Sequence, residues 1–263
     1  MIQEMASPTP YRELNDVLRD LVAGVRETLS DNFNGAYLQG SFAVGDADEH
    51  SDVDFIVVVH DELTDAQVDD LQALHKRLYA LDSPWAQHLE GSYAPKDELR
   101  RVDESRPPWW YLDNGASELI KDSHCNTAVV RWSLREKGAV LAGPDPKTLI
   151  EPVSPAELRS DVLIALREWA DWLGTNPSYS RWAQGVTVLS ICRILHTFES
   201  GRVTTKREAG EWALGALAPK WASLVQDALD DRPDPWTKVR EPTDPAVVKR
   251  TVAFVDYALE RTS

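Results

Sequence analysis

Two aspartates one residue apart, Asp52-Val53-Asp54, open an apolar, β-branched run that continues to Val59. Residues two apart on a strand project from the same side, so a strand here aims both carboxylates at one point. Paired oxygen donors of this kind suit a hard divalent cation. Gly40-Ser41 precedes Asp52 by a linker of ten residues. Gly40 allows the backbone to approach a phosphate closely, and Ser41 adds a hydroxyl donor. Each piece has an ordinary alternative: a lone Asp-x-Asp is commonly a solvated turn, and a Gly-Ser pair a plain loop. Together they describe a turn ending one strand and two carboxylates on the next. Val53 and Phe55 then face the core, and Asp52 and Asp54 face away from it.

The elements that must position these groups can be read from hydrophobic spacing. Leu14, Leu18, Leu21, Val22, Val25 and Leu29 recur at helical intervals, which predicts a helix over Tyr11–Ser30. Ala36–Leu38 is a strand candidate leading into Gly40, and Val53–Val59 reads as a buried strand. Thr64 is a candidate N-cap for a helix reaching Leu81. Trp85–Tyr93 reads as a third strand, carrying Glu90, and Pro95–Pro108 as a loop. A helix follows over Asn126–Lys137, stopped by Gly138. The cluster Ala142-Gly-Pro-Asp-Pro146 is a turn, and from Pro155 onward only helices are predicted: Pro155–Leu173, Arg181–Ser200, Thr205–Leu217, Pro219–Asp230 and Asp244–Arg261. Arg232–Pro245 carries four prolines and reads as a surface connection.

Composition bounds the function. The chain has 263 residues, 43% of them hydrophobic, enough for one large core or two modest ones. Its 43 acidic residues against 28 basic ones give a net charge of −15. That balance disfavours general binding to nucleic acid and favours a cationic small molecule, although it also serves simple solubility. Cys125 and Cys192 form no metal-ligand spacing and are too few to staple the fold. They suit a reducing cytoplasm, which is the expected location. No signal peptide is evident. No apolar stretch approaches the length needed to span a bilayer, so no membrane partner is expected.

Gly40-Ser41-x10-Asp52-Val-Asp54 resembles the signature of the DNA polymerase beta-type nucleotidyltransferase superfamily. Within it, the chain is similar to the streptomycin/spectinomycin branch of the aminoglycoside adenylyltransferases. Thr187–Arg193, the stretch Thr197–Leu214, and Leu141-Ala-Gly-Pro-Asp-Pro146 carry that similarity through the second half. The resemblance implies an α/β nucleotidyltransferase domain over residues 1–150, a small mixed sheet with flanking helices. An all-α helical bundle domain over residues 151–263 follows.

It also implies magnesium-dependent transfer of AMP from ATP to a hydroxyl of a small acceptor. Asp52 and Asp54 would hold Mg2+. Glu90 matches the family's third acidic position and would act as general base, or bind a metal; its ordinary alternative is a surface glutamate on an edge strand. Gly40, Ser41, Arg193 and Lys206 would contact ATP, in a cleft between the two halves. Arg193 interrupts an otherwise apolar helix, where an idle guanidinium would be costly to bury; Lys206 could equally be a solvated first-turn lysine.

Trp109 and Trp110 could wall an acceptor sugar or guanidinium group, or simply pack the chain. His124 could lie near the acceptor or be a satisfied structural histidine. The resemblance also implies carboxylates shortly before Arg193, but Pro177–Gln184 contains none and has Arg181; Glu168 and Asp171 lie upstream. This departure keeps other readings open: transfer to a protein, tRNA or metabolite, or a silent nucleotide-binding module.

Overall fold

The computed structural model describes residues 7–49, 51–175, 180–231 and 241–263. It divides into two compact units, Met1–Val153 and Ser154–Ser263. Part of the proline-rich stretch, residues 232–240, and residues 176–179 lie outside the described residues.

The first unit begins with helix α1 (Arg12–Leu29), which buries Leu14, Val17, Leu18, Leu21, Val22, Val25 and Leu29 on one stripe. Strand β1 (Phe33–Leu38) follows, then the short helix α2 (Gly40–Val44) and strand β2 (Val53–Val59). Helix α3 (Asp65–Tyr79) starts at the capping box of Thr64 and Gln67, which satisfies two donors at the helix start. Helix α4 (Pro84–Gln87), strand β3 (Leu89–Pro95) and helix α5 (Lys96–Leu99) come next. Strands β4 (Trp109–Leu112) and β5 (Leu119–Asp122), helix α6 (Ala128–Lys137) and strand β6 (Ala139–Ala142) complete the unit.

The strands form one six-stranded sheet in the order β5-β4-β3-β2-β1-β6. Only β2 and β3 run parallel; the other neighbours are antiparallel. Parallel neighbours need a long crossover, and α3 with α4 supplies it. Both faces of β2 are covered, which is why its sequence is apolar almost throughout. On one face Ile56 and Val58 join Tyr37, Ala94, Trp109, Tyr111, Cys125 and Leu134 in a buried cluster. On the other face Phe55 and Tyr93 meet His75 of α3, with ring centroids 6.0 and 5.9 Å from the imidazole. Each such fully buried aliphatic side chain contributes about 1.5–3 kcal/mol.

The second unit is helical: α7 (Pro155–Thr175), α8 (Arg181–Ser200), α9 (Lys206–Ala216), α10 (Ala222–Asp230) and α11 (Pro245–Arg261). The other four pack around α8, whose Val188, Ile191, Cys192 and Leu195 are fully buried. No helix among the described residues is long and apolar enough to cross a membrane.

A mixed sheet with flanking helices, followed by helices alone, is the expected fold class. Three local expectations change. Trp85 lies in α4, ahead of the strand predicted over Trp85–Tyr93, because Pro84 at the first helical position favours a helical turn. The Gly40-Ser41 turn is the first turn of a helix. Helix α5, inside the expected Pro95–Pro108 loop, and strands β4, β5 and β6 emerge where loop or no element was expected; each is four residues long, too short for periodicity to reveal.

Candidate functional site

Strand β1 ends at Leu38, and Gln39 turns the chain into α2. The Gln39 backbone N–H donates to the Asp54 carbonyl at 3.0 Å, and its side-chain oxygen accepts from the Gly40 N–H at 3.0 Å. Gly40 has φ +60°, a left-handed conformation that costs side-chain-bearing residues energy. A Cβ added there would fall 1.8 Å from Asp54 Oδ2, so the backbone passes directly over that carboxylate. The Ser41 hydroxyl is buried and makes no hydrogen bond to the protein. Phe42 sits edge-on to Tyr11 and Trp85, with centroids 6.3 and 6.0 Å away, which anchors α2 against α1 and α4.

The loop returning to β2 is tied by Ser51. Its hydroxyl accepts from the Asp48 N–H at 2.9 Å and lies 3.2 Å from Asp48 Oδ1. Asp52 stands just before β2, and both Asp52 and Asp54 are half-buried while Val53 and Phe55 are buried. The carboxylates are the more open positions, as expected, but Asp54 shares its face of β2 with the buried Ile56 and Val58, so that face is itself core-facing farther along the strand. Asp54 pairs with Glu90 in the parallel register of β2 and β3. Neighbouring strands lie about 4.8 Å apart, so the two carboxylates project from one face as close neighbours. Among the described residues, no three histidine, cysteine or acidic side chains are grouped closely enough to hold a metal ion by themselves.

Glu90 is not a surface residue; its side chain is only 12% exposed. Tyr111 Oη donates to Glu90 Oε1 at 2.8 Å and lies 3.1 Å from Asp113 Oδ1. His124 Nε2 is 3.2 Å from the same Glu90 oxygen. The Tyr111 and His124 rings lie 5.2 Å apart, tilted by 30°. The hydrogen bond to Glu90 raises the His124 pKa; partial burial opposes this, and the charges of Glu90, Asp122 and Asp113 add to it. Burial, and then the Glu90 charge, hold the Tyr111 phenol well above its ordinary range.

The tryptophans part company. Trp109 is 1% exposed, donates its indole N–H to Glu98 Oε2 at 2.6 Å, and lies under the Arg131 guanidinium, so it packs the core. Trp110 is half-buried on the opposite face of β4, where it borders a cavity of about 330 Å³ with Tyr93, Pro95, Pro108 and Lys121. Neither joins Asp54 and Glu90. Tyr111, which does, was not singled out by spacing; its signal is that it shares a face with Trp109 once β4 is known to be a strand. Gly40, Asp54, Glu90 and His124 are thus linked in the first unit, Gly40 over Asp54, Asp54 in register with Glu90, and His124 against Glu90, while Ser41 and Asp52 adjoin them in sequence. Arg193 and Lys206 belong to the second, Arg193 in the middle of α8 between buried neighbours and Lys206 as the first residue of α9, both half-buried.

Residues 22–105 match the nucleotidyltransferase domain family, and residues 148–260 match the C-terminal domain family of aminoglycoside adenylyltransferases. The chain thus carries a nucleotidyltransferase domain followed by a C-terminal domain of the aminoglycoside adenylyltransferase type. It is similar to aminoglycoside (3'') (9) adenylyltransferase of Shigella flexneri, 23% identical over 82% of this chain and 84% of the relative. The spectinomycin 9-adenylyltransferase of Staphylococcus aureus strain Mu50 is also 23% identical, over 78% of this chain and 79% of the relative. A spectinomycin adenylyltransferase from Enterococcus faecalis, solved with ATP and spectinomycin, shares the fold. Its TM-score is 0.72 at 16% identity, covering 93% of this chain and 98% of that one. This adenylyltransferase is accordingly an enzyme that transfers AMP.

Proposed function

We propose that this adenylyltransferase takes AMP from magnesium-bound ATP and places it on a hydroxyl of a small cationic acceptor of the aminoglycoside class. The observation that carries this is the Asp54–Glu90 register beside the Gly40 backbone, which sets the half-buried Asp54 carboxylate next to a nearly buried one. Oxygen donors suit magnesium, which keeps several waters and takes its remaining ligands from substrate phosphates. Asp52 and Asp54 would hold the ion. Its charge, if bound there, would offset that of the ATP phosphates and of the departing pyrophosphate. The close-passing backbone at Gly40 and the unpartnered Ser41 hydroxyl fit a phosphate oxygen. Arg193 and Lys206 are assigned to phosphate charge.

Glu90 acts as the base. It accepts the proton of the acceptor hydroxyl as that oxygen bonds to the α-phosphorus, and the bond to pyrophosphate breaks. The net charge of −15 and the relatives' printed activities support a cationic acceptor. His124, exposed beside Glu90, is assigned to the acceptor side of the site.

A different acceptor is the second reading. Ser180–Gln184 contributes no carboxylate, and the Arg181 guanidinium is held by Asp231 at 2.5 and 2.6 Å. Incubation with magnesium, labelled ATP, and a panel including streptomycin and spectinomycin separates the two. Label transfer to either antibiotic is the expected result. Pyrophosphate release with neither antibiotic labelled would move the activity to another acceptor.

A further inference from the structure

A glutamate side chain has three rotatable bonds, and a base displaced by about 1 Å can lose on the order of a hundredfold in rate. Something must therefore fix Glu90 if it is the base. Two donors converge on its Oε1, Tyr111 Oη at 2.8 Å and His124 Nε2 at 3.2 Å. Both are themselves held. Tyr111 is 4% exposed and sits in register with Ser92 on β3, two residues beyond Glu90 and on the same face.

His124 is the less expected partner, because its side chain is 62% exposed and an exposed imidazole is normally free to turn. Its loop is nevertheless tied down by hydrogen bonds. The His124 N–H donates to Asp122 Oδ1 at 2.7 Å, and the Asn126 N–H donates to the Ser123 carbonyl at 2.8 Å. The next two residues, Cys125 and Asn126, are buried. Asn126 is bound to the Pro107 carbonyl at 2.8 Å and to the buried Arg131 at 2.7 Å. The Tyr111 ring then supports one side of the imidazole. An exposed ring fixed this thoroughly, with one nitrogen on a nearly buried carboxylate, has a task beyond solvation.

We propose that Tyr111 and His124 are positioning residues that clamp the Glu90 carboxylate from one side and orient it toward the acceptor hydroxyl. The inference rests on Glu90 being the base. Transfer is measured with magnesium, ATP and whichever of streptomycin and spectinomycin supports turnover.

Tyr111→Phe, which keeps the ring and deletes only the donor, lowers kcat about tenfold or more while KM for ATP stays within about twofold. His124→Ala does the same, and His124→Gln, whose amide N–H can reach the same oxygen, recovers most of the loss. In a Glu90→Gln background neither change lowers the residual rate further, whereas a purely structural role would lower it again. Unchanged kcat in Tyr111→Phe and His124→Ala, with Glu90→Gln inactive, overturns the clamp and leaves the base assignment standing. A fully active Glu90→Gln overturns the base assignment itself. A crystal structure of Tyr111→Phe gives a readout independent of any acceptor: Glu90 is expected to leave its present position, and a carboxylate that stays in place refutes the clamp.

Discussion

Asp54 and Glu90 stand in register on the two parallel strands at the centre of the sheet, so two carboxylates from distant parts of the sequence share one face and one level. Two such charges repel unless something compensates. Asp54→Asn removes one of them. Transfer is expected to fall at least about a hundredfold, with a melting temperature equal to or above that of the parent protein. A variant that keeps its rate would remove Asp54 from the reaction; the comparison needs only steady-state kinetics and a thermal melt.

Gly40 faces a different constraint. Its φ of +60° disfavours a side chain, and a methyl group would come within 1.8 Å of Asp54 Oδ2. Gly40→Ala is expected to cost about 1 kcal/mol or more in backbone strain. Transfer should fall further than that strain alone explains, by about tenfold or more, because relief of the clash must move Asp54. Wild-type kinetics in Gly40→Ala would mean that the carboxylate position is not critical.

Stability should depend on pH through His75. The ring is 1% exposed, its Nε2 lies 2.8 Å from Tyr93 Oη, and burial pushes its pKa from 6.5 down to about 4. The unfolded chain therefore takes up a proton in a range where the folded chain resists it. Stability from this residue is intact above pH 6.5 and is lost as pH falls toward 4, on the order of 3 kcal/mol by the lower end. His75→Gln can still hydrogen-bond Tyr93 but does not titrate. Denaturant midpoints measured between these pH values should fall less steeply for the variant; parallel curves would contradict the assignment.

Arg131 tests the frame that holds the His124 loop. It is fully buried and donates to the carbonyls of Leu99, Thr127 and Glu98 at 3.1, 3.1 and 2.8 Å and to Asn126 Oδ1 at 2.7 Å. A lysine ammonium cannot span these acceptors from one point. Arg131→Lys should cost about 2 kcal/mol and Arg131→Met about 3 kcal/mol or more, since either leaves buried carbonyls unpaired. Chemical denaturation gives the difference directly; a loss below about 0.5 kcal/mol in both would show that the carbonyls find other partners.

The sequence by itself determined what depends on local spacing. The helical stripe of α1, the N-cap at Thr64, the strand Val53–Val59 and the bounds of α8 follow from periodicity and capping, which act within a few residues. The same holds for Asp54 and Phe55 on opposite faces of β2, because a strand repeats every two residues.

Only the tertiary structure decided which side chain meets which. The short strand β4 exists because it pairs with β3, and β5 because it pairs in turn with β4; that pairing turns Trp109 and Tyr111 inward and Trp110 to the opposite face. Two adjacent tryptophans look alike in sequence; strand pairing buries Trp109 almost completely and leaves Trp110 half-buried on the other face. Glu90 illustrates the same physics. Nothing within its own segment distinguishes it from a surface glutamate, yet the parallel register with Asp54 and the donors Tyr111 and His124 place it in a nearly buried, hydrogen-bonded setting. Carboxylate environment is set by long-range packing, which residue order does not display.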